Sequence, residues 1–123
     1  MTVLADTGAL YALVNRSDAW HLRMRTWWKG NREPILVPVT VIPEATYLIA
    51  TRLGSSHEAA FVRGLGAGEV EIEPLLPEDI TRAADLLTTY ADLPLGFVDA
   101  SIVAMAERLD IDPILTTDRR HFS

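Results

Sequence analysis

Short apolar runs alternate with longer helical segments, and this alternation limits the possible fold more than any other feature of the sequence. The runs at residues 3–6, 35–38, 70–76 and 112–117 are predicted to be strands, because they are short, apolar and bounded by turn residues. Six segments have helical features, and three of them are residues 9–15, 77–90 and 97–109. Of the others, one is capped at 17–18 and ends near 29, and the next is capped at 40 and ends at 54. The last is opened by a capping box at 55–58 and ends in the glycines of 64–68. Strands that alternate with helices predict an α/β domain with a parallel sheet covered on both faces.

The length and composition predict one soluble domain over residues 1–123. Apolar residues make up 49% of the chain and charged residues 23%, which is a globular composition. The chain has no Cys, which excludes disulfides, thiolate metal sites and a Cys nucleophile. We find no signal peptide pattern and no apolar run near the roughly 20 residues of a membrane span, so we expect an intracellular, cytoplasmic protein.

The charges are unevenly distributed along the chain. The formal net charge of −6 argues against nucleic acid as a ligand, because phosphate binding favours a basic surface. Residues 16–32, however, carry five basic side chains against the single acid Asp18, whereas residues 69–118 carry twelve acids against two arginines. Solvated helix faces would explain most of these charges one by one. Their segregation still allows a basic surface beside an acidic site.

Four acids fall where the carboxyl ends of the predicted strands meet the following loops and helices. They are Asp6, Glu44, Asp99 and Asp118. Each alone could be a helix cap or could stabilise a helix dipole. Together they lie at the edge of a parallel sheet where ligands bind.

Converging carboxylates need a positive counter-charge, because their mutual repulsion raises their pKa values and destabilises the fold. Oxygen ligands without any Cys, and without a closely spaced His pair, favour Mg²⁺ or Mn²⁺ over Zn²⁺. Mg²⁺ binds phosphate oxygens readily, so the pattern indicates phosphoryl chemistry.

Four motifs resemble those of the PIN domain, and more narrowly of the VapC-type toxins of bacterial toxin–antitoxin pairs. The motifs are DTGALYAL at 6–13, Glu44 at a helix start, FVDASIVAMA at 97–106, and LTTDRRHF at 115–122. They occur in the family's order and spacing over almost the whole chain. The resemblance implies a three-layer domain with a central parallel sheet of four to five short strands flanked by helices. It also implies a metal-dependent ribonuclease that forms a homodimer and is inhibited by a small cognate antitoxin.

The resemblance also implies roles for individual residues. Asp6, Asp99 and Asp118 would bind the Mg²⁺ or Mn²⁺. Glu44 would complete a catalytic quartet with them, as a ligand or by orienting a water molecule. The hydroxyls of Thr7 and Thr116 would hydrogen-bond these acids. The implied reaction is attack of a metal-activated water on an RNA backbone phosphate.

Three other interpretations were weighed against this one. A receiver domain would need an acidic pair after the first strand and a late lysine, but Lys29 is the only lysine. A haloacid-type phosphatase would need Asp-x-Asp at 6–8, where Gly8 stands. The remaining alternative is a catalytically silent PIN-like module that binds RNA or protein. The presence of all four acids argues against it.

The remaining conspicuous residues have a structural and a functional interpretation each. Arg23, Arg25 and Lys29 are candidates for contacts with RNA phosphates, and so are Arg119 and Arg120. The scattered histidines, His21, His57 and His121, are interpreted as structural or surface residues, and Asp92 as a turn residue. One helical face carries a stripe formed by Trp20, Met24, Trp27 and Trp28, which favours a core position over a partner interface.

Overall fold

The structure is a computed structural model that describes residues 2–112 and 114–116, and the predicted order of strands and helices is confirmed within them. The strands are β1 (Val3–Ala5), β2 (Ile35–Pro38), β3 (Glu71–Glu73) and β4 (Ile114–Leu115). The helices are α1 (Thr7–Val14), α2 (His21–Gly30), α3 (Val41–Leu53), α4 (Ser55–Gly66), α5 (Pro77–Thr89) and α6 (Phe97–Leu109).

The four described strands form one parallel sheet in the order β3-β2-β1-β4. Leu4 fixes the central register, because it pairs with Leu36 of β2 on one side and with Ile114 of β4 on the other. The chain moves outward from β1 through β2 to β3 and then returns to place β4 on the opposite side of β1. The strand order therefore reverses between β1 and β4, and such a reversal opens a crevice at the carboxyl ends of the two strands.

The centre of the sheet is the most deeply buried part of the described chain. Leu4, Ala5 and Val37 are inaccessible to solvent, and they pack with Leu10 of α1 and Val41 of α3. β3 is less buried than the central strands, and it covers only part of the predicted run 70–76. This core gives the loops at the carboxyl edge of the sheet a rigid base.

Two helical layers cover the sheet. α1 packs against α2 and α3, and α3 packs against α4, whereas α5 and α6 pack against each other. The connection from β3 to β4 runs back across the sheet, and a right-handed crossover places its helices on the face opposite to α1–α4. The three-layer α/β architecture is thus confirmed. Among the described helices, none is long and apolar enough to cross a membrane.

The predicted helix caps are wrong at three places. α2 begins at His21, after a turn in which Asp18 accepts a hydrogen bond from the Trp20 N–H at 2.8 Å. Thr40 occupies the N-cap position of α3, yet its hydroxyl does not cap that helix. α4 starts directly after Gly54, whose φ of 102° suits glycine, and no side chain caps it, so the box at 55–58 does not form.

Candidate active site

Asp6 and Thr116 meet where the strand order reverses. Asp6 follows β1 and is only 5% exposed, and its main-chain N–H bonds to the Leu115 carbonyl of β4 at 3.1 Å. One carboxylate oxygen of Asp6 accepts the Ala9 N–H at 2.9 Å and so caps α1. The other oxygen accepts a short hydrogen bond from the Thr116 hydroxyl. Both predicted residues therefore lie at the crevice, with the Asp6 carboxylate held on two sides.

Glu44 is linked to the Asp6 end of this crevice by a hydrogen bond from Thr7. Glu44 lies in the first turn of α3, and its Oε1 atom accepts a 2.5 Å hydrogen bond from the Thr7 hydroxyl at the start of α1. Thr7 is buried, whereas the Glu44 residue is exposed. The structure thus places an exposed carboxylate next to the buried Asp6–Thr7 junction.

Asp99 lies in the first turn of α6 and is half-buried. Two residues further on, the Ser101 hydroxyl lies 2.7 Å from the hydroxyl of Thr40, which precedes α3. Because α3 begins at the carboxyl end of β2, this contact brings the start of α6 to the same edge of the sheet. Three of the four predicted acids, Asp6, Glu44 and Asp99, therefore belong to one edge.

The fourth acid, Asp118, lies outside the described residues, as do Arg119, Arg120 and His121. Among the residues that are described, no group of three or more acids or histidines is close enough to hold a metal ion. A centre of the predicted kind would therefore need Asp118. The donors present suit a hard cation, since they are carboxylate oxygens and the Asp6 carboxylate is already oriented by two hydrogen bonds.

The contact between Thr40 and Ser101 was not predicted from the sequence. Ser101 is fully buried and was not singled out, because a serine inside an apolar helix has no local signal of a partner 61 positions away. Thr40 was predicted to cap α3, which follows the local rule for a threonine before a helix. Its actual partner could only be identified once it was known that the starts of α3 and α6 meet at one edge of the sheet.

The predicted basic surface is divided by the fold. Arg25 and Lys29 line a cavity of about 390 Å³ at the end of α1, and they share it with Arg16 and Trp28. No acidic residue of the described chain lines this cavity. Arg23 is not part of it; its guanidinium lies over the Trp20 ring, 5.2 Å from the ring centre. The cavity is separated from Asp6 by the length of α1, which is about 12 Å for eight residues.

The structural interpretation holds for most of the Trp and Met stripe and for one histidine. Met24 is buried against α1, and Trp20 packs on the same cluster while Trp28 packs on the main core. His21 forms a 2.8 Å hydrogen bond between its Nδ1 atom and the Ala12 carbonyl, which joins α2 to α1. His57 is exposed.

A separate charged network joins β3, α5 and α6 and was also missed. Arg108 contacts both carboxylate oxygens of Asp79, at 2.8 and 3.0 Å, and Glu73 at 3.0 Å. Asp79 is 1% exposed and also accepts the Leu76 N–H at 2.9 Å. Burial raises the pKa of the Asp79 carboxyl, but the hydrogen bonds from Arg108 and Leu76 outweigh it and bring the pKa below its ordinary 3.8. This arrangement is a structural clamp, since it satisfies a buried charge.

Comparison with known proteins agrees with this geometry. The family model of the PIN domain matches residues 3–123. Ribonuclease VapC26 of Mycobacterium tuberculosis is 35% identical over 121 residues, which span 98% of this chain and 90% of the relative. The crystal structure of Mycobacterium tuberculosis VapC20, titled as a sarcin-ricin loop cleaving toxin, superposes with a TM-score of 0.89 at 22% identity, covering 95% of this chain and 90% of that one. The chain therefore belongs to the PIN-domain family and, within it, to the VapC type.

Proposed function

We propose that this protein is a Mg²⁺- or Mn²⁺-dependent endoribonuclease and the toxin of a toxin–antitoxin pair. Its relative VapC26 is named a ribonuclease, and VapC20, which shares its fold, is described as a sarcin-ricin loop cleaving toxin. The observation that carries the proposal is the Asp6 carboxylate, which is buried at the reversal of strand order and held by Ala9 and Thr116. An oriented carboxylate in this crevice is the starting point for a cation site.

Asp6, Asp99 and Asp118 are proposed to hold the cation, with Glu44 beside them. When bound, the cation would neutralise developing phosphate charge and lower the pKa of water. The chain's own contribution is orientation. The Thr116 hydroxyl and the Ala9 N–H fix the plane of the Asp6 carboxylate, and the Thr7 hydroxyl holds one oxygen of Glu44, leaving its second oxygen to position a water molecule near the scissile phosphate.

The RNA is proposed to extend from this edge along α1 towards the cavity lined by Arg16, Arg25 and Lys29. This cavity has the chemistry of a phosphate contact, because cationic side chains surround it without an acid of the described chain in the lining. Arg119 and Arg120 remain further candidates for RNA contacts. A small cognate antitoxin, a homodimer and a cytoplasmic location follow from the resemblance to VapC toxins and are part of the proposal.

The second candidate function is a catalytically silent PIN-like module that binds RNA or protein. The presence of Asp6, Glu44, Asp99 and Asp118 in the sequence favours the enzyme, because a silent module has no need of all four acids. The two candidates differ in whether RNA is cut at all.

The test is to map RNA ends in cells that express wild type or Asp6→Asn, followed by cleavage of the mapped RNA with purified protein. Ends that appear only with wild type, and cleavage that needs Mg²⁺ or Mn²⁺ and stops with EDTA, are expected. Cleavage at an undiminished rate in EDTA would contradict the metal mechanism. Tight RNA binding without any new ends would favour the silent module.

A further inference from the structure

A chain of two hydroxyl groups links the helix start that carries Glu44 to the peptide bond that precedes Asp99. The Thr40 Oγ1 and Ser101 Oγ atoms are 2.7 Å apart, and Ser101 Oγ donates to the Val98 carbonyl at 2.6 Å. A serine hydroxyl has one proton, and that proton is used at Val98. Thr40 must therefore donate to Ser101, which gives the direction Thr40 to Ser101 to Val98.

The Val98 carbonyl, which accepts the last hydrogen bond of this hydroxyl pair, is adjacent to the proposed metal ligand Asp99. The Val98 carbonyl belongs to the peptide unit that continues into Asp99, because the two residues are neighbours in the first turn of α6. Holding that carbonyl limits rotation of the peptide plane from which the Asp99 side chain projects. At the other end, Thr40 is the residue from which α3 starts, one turn before Glu44.

The hydroxyls depart from their usual local roles. A threonine at an N-cap position normally accepts a hydrogen bond from its own helix, but the Thr40 side chain caps nothing. Ser101 is fully buried in an otherwise apolar part of α6, between Ala100 and Ile102. An apolar residue of similar size would pack there without needing a partner. The pair therefore secures a specific arrangement of α3 and α6 rather than merely filling space.

We propose that Thr40 and Ser101 are positioning residues that set the separation of Glu44 and Asp99. The inference rests on the proposed function, since it assigns the two acids to one cation-binding site. Thr7 holds Glu44 from the side of α1, and the two hydroxyls hold the start of α3 beside the start of α6. These contacts fix the relative positions of Glu44 and Asp99, although 55 positions separate the two residues in the sequence.

The test compares Thr40→Val, Thr40→Ser, Ser101→Ala and the double variant Thr40→Val/Ser101→Ala. Thr40→Val and Ser101→Ala should lower kcat and the affinity for Mn²⁺ about tenfold, without raising KM for RNA. A tenfold loss is the lower end of the effect expected for residues that orient metal ligands without binding the metal themselves. Thr40→Ser keeps the donor and should restore both. The double variant should be no worse than the worse single variant, because both remove the same linkage.

Leu86→Val is the control for a general loss of stability, since Leu86 is buried between α5 and α6 in a different cluster. It should lower the melting temperature and leave Mn²⁺ affinity, measured by titration calorimetry, unchanged. Wild-type kcat and Mn²⁺ affinity in Thr40→Val and Ser101→Ala would overturn the positioning role while leaving the proposed function intact. A wild-type protein that neither binds Mn²⁺ nor cuts RNA would overturn both.

Discussion

The Thr7 hydroxyl donates a 2.5 Å hydrogen bond to the carboxylate of Glu44, so the first residue of α1 holds an acid in the first turn of α3. We expect Thr7→Val to lower kcat about tenfold, because the proposed role of Glu44 requires a fixed carboxylate. Val keeps the shape of Thr, so the loss of stability should stay near 1 kcal/mol. Thr7→Ser should retain activity, which is measured as the rate of RNA cleavage at saturating substrate.

Thr51→Val is the matched control for this change. Thr51 lies in the same helix as Glu44, and within the described residues its hydroxyl bonds to the helix carbonyls of Tyr47 and Leu48. It should leave the cleavage rate unchanged. Equal losses of activity in Thr7→Val and Thr51→Val would show that the contact with Glu44 has no special importance.

Asp6 caps α1 and is proposed to bind the cation, and two substitutions distinguish the observed role from the proposed one. Asn can still accept the Ala9 N–H as a helix cap, whereas Ala cannot. We expect metal-free Asp6→Asn to be about as stable as wild type and Asp6→Ala to lose about 1 kcal/mol, measured by urea unfolding. Both should abolish RNA cleavage. A strong loss of stability in Asp6→Asn, together with residual cleavage, would reduce Asp6 to a structural cap.

Metal binding should be visible as a gain in stability. A cation that binds only the folded protein stabilises it by mass action, by about 2.7 kcal/mol at a hundredfold excess over its Kd. We expect Mg²⁺ and Mn²⁺ to raise the melting temperature of wild type, and Asp99→Asn to show a much smaller rise. Ca²⁺-free buffers and an EDTA-treated sample set the baseline. An equal rise in Asp99→Asn and wild type would remove Asp99 from the cation site.

The sequence predicted what depends on local pattern, and it missed what depends on packing. α6 has the predicted bounds of 97–109, and the parallel sheet follows from alternation of strands and helices. The partner of Thr40 was missed because Ser101 becomes its neighbour only when α6 packs against β2 and the start of α3. Asp79 lies in the first turn of α5, where an acid is favourable, but nothing local indicated that Arg108 would cover it.

The Arg108–Asp79 clamp should control stability in acid. Because the pKa of Asp79 is lowered by folding, its contribution is complete above the unfolded value of about 3.9 and is lost as the pH falls through the lower folded value. We therefore expect the free energy of unfolding of wild type to decrease below about pH 4. Asp79→Asn should be less stable at neutral pH and should show a flatter decline in that window. Urea unfolding at a series of pH values measures both.

Arg108→Met tests the same clamp from the other side, with Arg82→Met as its control. Removing Arg108 leaves the buried Asp79 charge uncompensated and should cost about 3 kcal/mol. Arg82 pairs with Glu107 at 2.7 Å, but both side chains are nearly half exposed, so its loss should cost less than about 1 kcal/mol. Similar losses in the two variants would contradict the role of burial in this network.

Substitutions in the cavity at the end of α1 show whether it is an RNA-binding surface or a protein interface. Contacts between Lys or Arg and phosphates release counterions, so each contact contributes about 0.7 to the salt slope of single-strand binding. The measurement uses an Asp6→Asn background, which should bind RNA without cutting it. In this background the triple change Arg16→Gln, Arg25→Gln and Lys29→Gln should weaken RNA binding and flatten that slope by up to about 2. Fluorescence anisotropy across a range of salt concentrations gives both values.

The net charge of the protein is controlled for by a second triple variant with the same loss of charge, Arg52→Gln, Arg63→Gln and Arg82→Gln. None of these three residues lines the cavity. This second variant should keep a slope close to that of the Asp6→Asn parent. The same three cavity substitutions made in the wild-type protein should leave its Mn²⁺ affinity unchanged, since about 12 Å of α1 separate the cavity from Asp6. If the cavity variant binds RNA as the parent does but no longer binds its antitoxin, the basic cavity is a protein interface. The RNA must then reach the acidic edge from another side, and Arg119 and Arg120 become the next residues to replace.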